Sequence, residues 1–228
     1  MSKEHTITLI NHSGAIQKYA LFSKPPMVTG RVEGQIWPSV LDIGLARQES
    51  TTTFTIREQY YAVIGSLQGH QYAGGNVYVI DNRPVEFGAV KDDGRVILGT
   101  ALDVVVVDDR LQFSETHLPD SSSYGAFTIR TGKDSGLHES TKRSYVVGLG
   151  GSNSDNSLSG PMATFIPEPE AQYQIRPTKA YCIATGDFKK GALVDITKTG
   201  VTYVDFDTSP SRDVVITHDR DGHFIVQH

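Results

Sequence analysis

One strand-like run of this chain holds an arginine and two adjacent tyrosines, residue types that suit recognition of a small molecule. Arg57, Tyr60 and Tyr61 lie in FTIREQYYAVIG, residues 54–65, and the single tryptophan, Trp37, lies upstream in GQIWPSV. Aromatic walls with one or two polar groups are typical of small-molecule pockets. We therefore predict that Trp37, Tyr60 and Tyr61 line a ligand pocket and that Arg57 contacts the ligand. The alternative interpretation makes Trp37 a core residue.

A glycine-rich segment follows this run. Residues 66–75 read SLQGHQYAGG and carry His70 and Tyr72. Long segments of this kind in compact proteins often have a functional role. We predict that Tyr72 joins the aromatic wall and that His70 and Arg57 are catalytic polar contacts, with His70 as the acid or base. The alternative interpretation makes Tyr72 a surface residue.

A second run, YQIRPTKAYCIATG at residues 173–186, resembles the first. Both contain an Ile-Arg pair, then tyrosine, then small apolar residues before a glycine. Two strands at related positions of two sheets would need this pattern, with a buried tyrosine ring whose hydroxyl reaches the rim. This structural explanation is our prediction, and a shared ligand surface that includes Arg176 and Tyr181 is the alternative. The unequal spacing to the upstream segments ALFSKPP and ATFIPEP argues against a clean tandem repeat.

The common catalytic and cofactor motifs are absent from the sequence. It contains no phosphate-binding glycine loop, no nucleophile elbow and no HExxH motif, so we predict no cofactor. The eight histidines include no closely spaced pair on one strand, and we predict no metal site. His218 and His223 flank the turn DRDG and are interpreted as solvated residues rather than metal ligands. The single cysteine, Cys182, is expected to be a small buried hydrophobe.

The positioning elements are predicted to be short strands. Runs of alternating apolar and polar residues occur at 6–11, 76–81, 84–90, 95–99, 201–206, 213–218 and 223–228, and KDDG, KTG and DRDG are the turns. The valine run of LDVVVVDD predicts a central strand covered on both faces, and SVLDIGLARQE, residues 39–49, is the best helical candidate. We predict one all-β domain over residues 1–228 with little or no helix. It would be an antiparallel two-sheet β-sandwich of about 14 to 16 strands, with a closed β-barrel as the alternative.

Composition and charge limit the partners. The 228 residues carry a formal net charge of −5 and no dense cluster of lysine and arginine, so nucleic acid is not an expected partner. No stretch approaches the roughly 20 apolar residues of a membrane span, and the N-terminus lacks the apolar region of a signal peptide. We expect a cytoplasmic protein without a membrane partner, and homo-oligomer assembly is left open.

Two segments resemble a known group of proteins. NHSGAIQKYALFSKPP, residues 11–26, and TTTFTIREQYYAVIG, residues 51–65, are similar to small uncharacterised all-β fungal proteins. That pattern reads as N-x-S-G, an aromatic residue before a proline pair, and a strand that ends in QYYAV. Some of these proteins occur beside natural-product biosynthesis genes, so the resemblance implies a small organic ligand. It defines no functional residues.

Two functions are consistent with these features. The first is a soluble β-sandwich that encloses a small, largely apolar organic molecule, with a cofactor-free cyclase or isomerase as the candidate reaction. Such an enzyme would act through orientation and a few polar donors rather than through a nucleophile. The alternative is a non-catalytic, lectin-like module that binds a sugar on Trp37 or Tyr72 at an exposed rim. Loops such as Asp81-Asn82 or Ser152–Asn156 would then form hydrogen bonds with the sugar. The sequence leaves open whether the protein is an enzyme.

Overall fold

The structure, a computed structural model, describes residues 4–69, 75–108, 110–114, 124–133, 144–153 and 155–227. These residues form twenty β-strands and no helix, which confirms the predicted all-β fold. The strands are β1 (Glu4–Asn11), β2 (Gln17–Ser23), β3 (Met27–Thr29), β4 (Glu33–Pro38), β5 (Val40–Ala46), β6 (Thr51–Arg57), β7 (Tyr60–Gln68), β8 (Asn76–Val85), β9 (Ala89–Val90), β10 (Val96–Ile97), β11 (Ala101–Val107), β12 (Arg110–Phe113), β13 (Phe127–Thr131), β14 (Tyr145–Ser152), β15 (Leu158–Ile166), β16 (Gln172–Arg176), β17 (Ala180–Thr185), β18 (Thr202–Asp205), β19 (Asp213–His218) and β20 (Phe224–Gln227). No helix of the described residues has the length and hydrophobicity that a membrane span requires.

Four sheets surround one apolar core. Sheet A has the strand order β20-β19-β1-β6, sheet B β18-β17-β2-β5, sheet C β12-β11-β13-β16-β3 and sheet D β4-β15-β14-β7-β8, with β9 and β10 as a separate hairpin. All four sheets contribute side chains to one buried cluster, as in a β-sandwich. The pairs β1–β19 and β11–β13 are parallel, so the sheets are mixed rather than purely antiparallel. None of the sheets described closes into a barrel.

Three local predictions need correction. The helical candidate at residues 39–49 is wrong, because it contains strand β5 and a turn. The valine strand β11 lies inside sheet C as predicted. Val104 is its only buried residue, so the prediction that both faces of the strand are covered is wrong. The turns KDDG and DRDG join paired strands, as hairpin turns do. KTG is not a hairpin turn, because β18, which follows it, pairs with β17 and not with residues 192–196.

The chain is an internal repeat whose two halves interleave. Strands β1, β2, β5, β6, β7, β8, β11 and β12 of the first half correspond in order to β13 through β20 of the second half. With this match, the four strands of sheet A have the order and directions of β12, β11, β13 and β16 in sheet C. The four strands of sheet B likewise match β8, β7, β14 and β15 in sheet D. Each of the four sheets takes strands from both halves. The similar runs 54–65 and 173–186 therefore lie on corresponding strands, β6–β7 and β16–β17, and insertions make the spacing of the repeat unequal.

Irregular features recur at matching positions of the two halves. The β2–β5 pairing shifts register after Leu21, and the β14–β15 pairing shifts after Leu149. Ile56 of β6 pairs with β1, and Ile175 of β16 pairs with β13, in the same relative register. The likeness of ALFSKPP to ATFIPEP has no such basis, because these segments lie on β2 and β15, which do not correspond.

One of the insertions in the first half lies between β2 and β5. Residues 24–39, here called the strap, join β2 to β5 and contain β3 and β4, whereas only residues 153–157 join the corresponding β14 and β15. The strap pairs with β16 through β3 and with β15 through β4, so it connects the edges of sheets C and D. The corresponding strands β6 and β5 are the last strands of sheets A and B. An opening between these two edges therefore remains in the first half.

A buried histidine lies in the core at the end of β19. The Tyr19 hydroxyl is 3.0 Å from His218 Nδ1, and the His218 ring stacks on Phe224 with centroids 4.6 Å apart. His218 is 5% exposed, so the interpretation of it as a solvated turn residue is wrong, whereas His223 is exposed. Burial lowers the pKa of His218 below its usual value, and the nearby Asp219 opposes this only in part.

We expect this histidine to make the protein less stable in mild acid. Between the lowered folded-state pKa and the ordinary value of about 6.5, the unfolded chain binds a proton that the folded chain does not, so the free energy of unfolding falls as pH decreases. Thermal unfolding measured from pH 7.5 to 5.5 should show this slope, and His218→Gln should flatten it. The exposed His223→Gln is the control and should retain the wild-type slope. Equal slopes in all three proteins would contradict the assignment.

Candidate functional site

Two tyrosines from the two halves meet at the centre of the molecule. Tyr60 in YYAVIG and Tyr181 in YCIATG begin equivalent segments of β7 and β17, and their hydroxyls hydrogen-bond to each other. Burial raises the pKa of Tyr60 to about 12 and holds that of Tyr181 well above its usual value, so both hydroxyls stay protonated at neutral pH. Because both hydroxyls are protonated, either one can donate in this hydrogen bond.

Aromatic rings extend symmetrically from this hydroxyl pair. On one side Tyr181 contacts Phe206, which contacts His5, with centroid distances of 6.1 and 4.4 Å. The other side has Tyr60, Phe87 and Phe127, with distances of 5.3 and 6.3 Å. Phe87 and Phe206 occupy the same place in the short motifs VEF and VDF. The repeat axis therefore passes through the hydroxyl pair, and His5 replaces a phenylalanine on one side.

A pocket, here called the Arg57 pocket, occupies the opening between the edges of β5 and β6. Its volume is about 340 Å³, within the lower part of the range for small-molecule sites. Its apolar lining is Leu21, Leu41, Ile56, Met162 and the Tyr181 ring. Its polar lining includes Arg57, Asp42, Ser152, Asn153, Ser159 and Lys190. The two halves thus build the pocket jointly, with β5 and β6 from one and β14, β15 and β17 from the other.

Two polar atoms at this pocket are buried and have no hydrogen-bond partner among the described residues. They are Nε of Arg57 and Oγ of Ser152. The Arg57 Nη2 atom is 2.6 Å from Glu4 Oε1, so this nitrogen of the guanidinium is paired, whereas Nε is not. A buried donor without a partner costs about 1–3 kcal/mol. Both atoms can donate, and a ligand oxygen that reached either of them would remove its share of this cost.

A second pocket of about 440 Å³ lies on the other side of the hydroxyl pair and contains Tyr60 and Arg176. Three of the four charged residues that line it, Glu58, Lys179 and Arg176, already have partners, and Asp207 is the fourth. Glu58 Oε1 accepts from His5 Nε2 at 2.8 Å and from Lys179 Nζ at 2.9 Å, and Arg176 donates to the Tyr124 carbonyl. Burial raises the pKa of Glu58, but the hydrogen bonds and charges of His5 and Lys179 together outweigh burial and lower it. The Arg57 pocket, which has two buried donors without a partner in the described part of the chain, is therefore the better candidate site.

The predicted wall residues separate in the structure. Trp37 is 4% exposed and packs with Val77, Val146 and Leu193, away from the residues that line either pocket. Tyr61 points to the opposite face of β7 from Tyr60, and its hydroxyl donates to the Asn156 carbonyl. Tyr60 lines the second pocket, and Arg57 lines the candidate site. The core interpretation of Trp37 matches its position, and Trp37 offers no exposed face on which a sugar could stack.

Two predicted residues, His70 and Tyr72, lie outside the described residues. Sequence reasoning did not select Lys190, and it named Ser152 only within the sugar-binding loop of the lectin-like alternative. Both residues reach the pocket from segments far from Arg57 in the chain. Tyr181 was named only within the alternative of a shared ligand surface. The motifs VEF and VDF together with the two Ile-Arg pairs were the signal in the sequence for its partnership with Tyr60.

Outside the two pockets, the described residues include one group of possible metal ligands and one cysteine. Among the described residues, Asp219, Asp221 and His223 form a group whose ligand atoms lie within 4.8 Å of one another. They sit in the β19–β20 turn, where Asp219 already accepts the backbone N–H groups of Asp221 and His223. Cys182 is buried as predicted, and burial raises the pKa of its thiol to about 12, so it is not a nucleophile at neutral pH.

The fold and site together define a β-sandwich with a half-open, donor-rich pocket formed by both repeats. No known family, no curated protein and no solved structure matches this chain. Its function is therefore argued from the site alone.

Proposed function

We propose that the protein binds a small organic molecule in the Arg57 pocket, with an acceptor oxygen of the ligand held by Arg57 and Ser152. The observation that supports this most is the pair of buried donor atoms without a protein partner at one pocket. Hydrogen bonds to a charged donor contribute about 1.5–3 kcal/mol, more than neutral ones. Leu21, Leu41 and Met162 would cover the apolar body of the ligand. With a single cysteine the chain has no internal disulfide, which fits a reducing compartment such as the cytoplasm as the location.

We expect Arg57→Gln to weaken ligand binding about 10- to 100-fold, because it removes the charged donor. The Arg57 Nε–H group gives a resonance of its own in nitrogen–proton NMR spectra, and its absence in Arg57→Gln assigns it. Titration of the wild-type protein with a library of small organic acids should shift this resonance. Affinities of the acids that do so should then be measured by calorimetry for both proteins.

The repeat supplies a matched control for this experiment. Arg176 occupies the equivalent position on β16, is exposed and donates to the Tyr124 carbonyl. Arg176→Gln should therefore retain wild-type affinity for the same acids. Equal losses in both variants, or no acid that shifts the Arg57 resonance, would contradict the proposed site.

A cofactor-free cyclase or isomerase is the second candidate function. Donors that converge on one oxygen can stabilise the negative charge that develops there in a transition state. Tyr181 is not a candidate base, since burial keeps its hydroxyl protonated. Asp42 is the carboxylate that lines the same pocket and is the candidate base. Turnover of a bound compound that is lost in Asp42→Asn while binding persists would support catalysis, and binding without turnover would oppose it.

A further inference from the structure

We infer that the ligand of the Arg57 pocket is an aliphatic carboxylic acid, a conclusion that rests on the proposed function. The inference joins two features of the molecule. One is the shape and chemistry of the pocket itself. The other is the strap, which shows how the chain fills the equivalent opening of the other half.

The apolar floor of the pocket is aliphatic. Leu21, Leu41, Ile56 and Met162 form it, and Tyr181 is the only aromatic residue among the lining residues. The Tyr181 ring already packs edge-on against Phe206, and its hydroxyl is bonded to Tyr60. Sugars and flat aromatic compounds are usually held by free aromatic faces, so this floor is suited to saturated hydrocarbon.

The equivalent opening in the other half, between β15 and β16, is closed by the strap. Val28 of the strap pairs with Ile175, the counterpart of Ile56. Val28, Val32 and Ile36 then pack against the main core cluster. The chain itself therefore places branched aliphatic side chains where the first half has a pocket. A ligand with similar groups would restore the packing that the strap provides on the other side.

The polar end of the pocket selects an acid. Arg57 and Lys190 are the cationic residues of the described lining, and Ser152 adds a buried hydroxyl donor to the same pocket. The opposing charges are Asp42, whose Oδ1 atom accepts the backbone N–H of Ile43, and Glu4, which is paired with Nη2 of Arg57. A carboxylate can accept two hydrogen bonds from an arginine and a neighbouring donor at once. Neutral alcohols lack this charge-assisted contact.

A matched panel of four compounds tests the inference on the full-length protein. Cyclohexanecarboxylate and benzoate have the same size and charge but differ in saturation. Cyclohexanemethanol keeps the ring without the charge, and glucuronate keeps the charge on a polar ring. We expect cyclohexanecarboxylate to bind most tightly and to shift the Arg57 Nε–H resonance. The alcohol should bind about 10- to 100-fold more weakly, as expected for the loss of a charged hydrogen bond.

The outcomes separate this inference from the function on which it rests. Benzoate or glucuronate binding as tightly as cyclohexanecarboxylate, with the Arg57 resonance shifted, would overturn the aliphatic class but retain the binding site. Equal binding of the alcohol would overturn the acid. If none of these compounds, nor any acid of the wider library, shifted the Arg57 resonance, the proposed function itself would fail. Leu41→Gln should weaken cyclohexanecarboxylate, and its thermal unfolding curve would show whether the variant is folded.

Discussion

Neither half of the chain should fold when it is produced alone. Every large sheet combines strands of both halves, so a fragment of residues 1–114 keeps β1 and β6 of sheet A but lacks β19 and β20. Each fragment would expose unpaired strand edges and lose the partners of its buried side chains. We expect both fragments to give circular dichroism and NMR spectra of unfolded chains. The expected loss of stability is complete.

Co-expression provides the control for this experiment. The fragments 1–114 and 124–228 together contain all the strands, so they should assemble into a folded heterodimer when they are produced in one cell. Dispersed NMR signals from either fragment alone would show that a half is an independent unit. That result would refute the interleaved arrangement.

Removing one hydroxyl of the central tyrosine pair should destabilise the protein by roughly 1–3 kcal/mol, because the remaining hydroxyl stays buried without its partner. Tyr60→Phe leaves the hydroxyl of Tyr181, which is 1% exposed, without this partner. Tyr181→Phe leaves the hydroxyl of Tyr60, which is 4% exposed, without its partner. Urea unfolding of both variants measures the free energies of unfolding. The exposed Tyr203→Phe is the control and should be close to wild type.

The double variant should cost less than the sum of the two single changes. Once both hydroxyls are absent, no buried polar atom remains at the contact, and the phenylalanine rings can keep the packing with Phe87 and Phe206. Additive losses would show that the hydroxyls do not interact and that the two repeats are not coupled at their axis.

The sequence predicts the strands well where alternation is strong and fails where tertiary contacts decide. Strands β6 and β7 follow from the run 54–65. Strand β5 has apolar residues at helix-like spacing and a glycine, so it reads as a weak helix. Its conformation depends on neighbours, because a Cβ on Gly44 would lie 2.5 Å from the Thr52 hydroxyl oxygen. Such a contact cannot be inferred from local pattern.

The candidate site is only partly visible in the sequence for a similar reason. Arg57 stands out because it lies within an aromatic run, and it does line the pocket. Ser152 and Lys190 sit in ordinary polar segments, and only the pairing of the two halves brings them to Arg57. The repeat is hidden because few identities survive, and because the strap and the β9–β10 hairpin add residues to one half only.

The strap has a consequence for how this protein could specialise. A symmetric homodimer of half-length subunits would carry two identical clefts, and any mutation would alter both at once. In a fused chain each copy has its own codons, so one cleft can be filled for rigidity while its twin is kept vacant for recognition. Covalent linkage of the subunits thus permits a division of labour that identical partners cannot achieve.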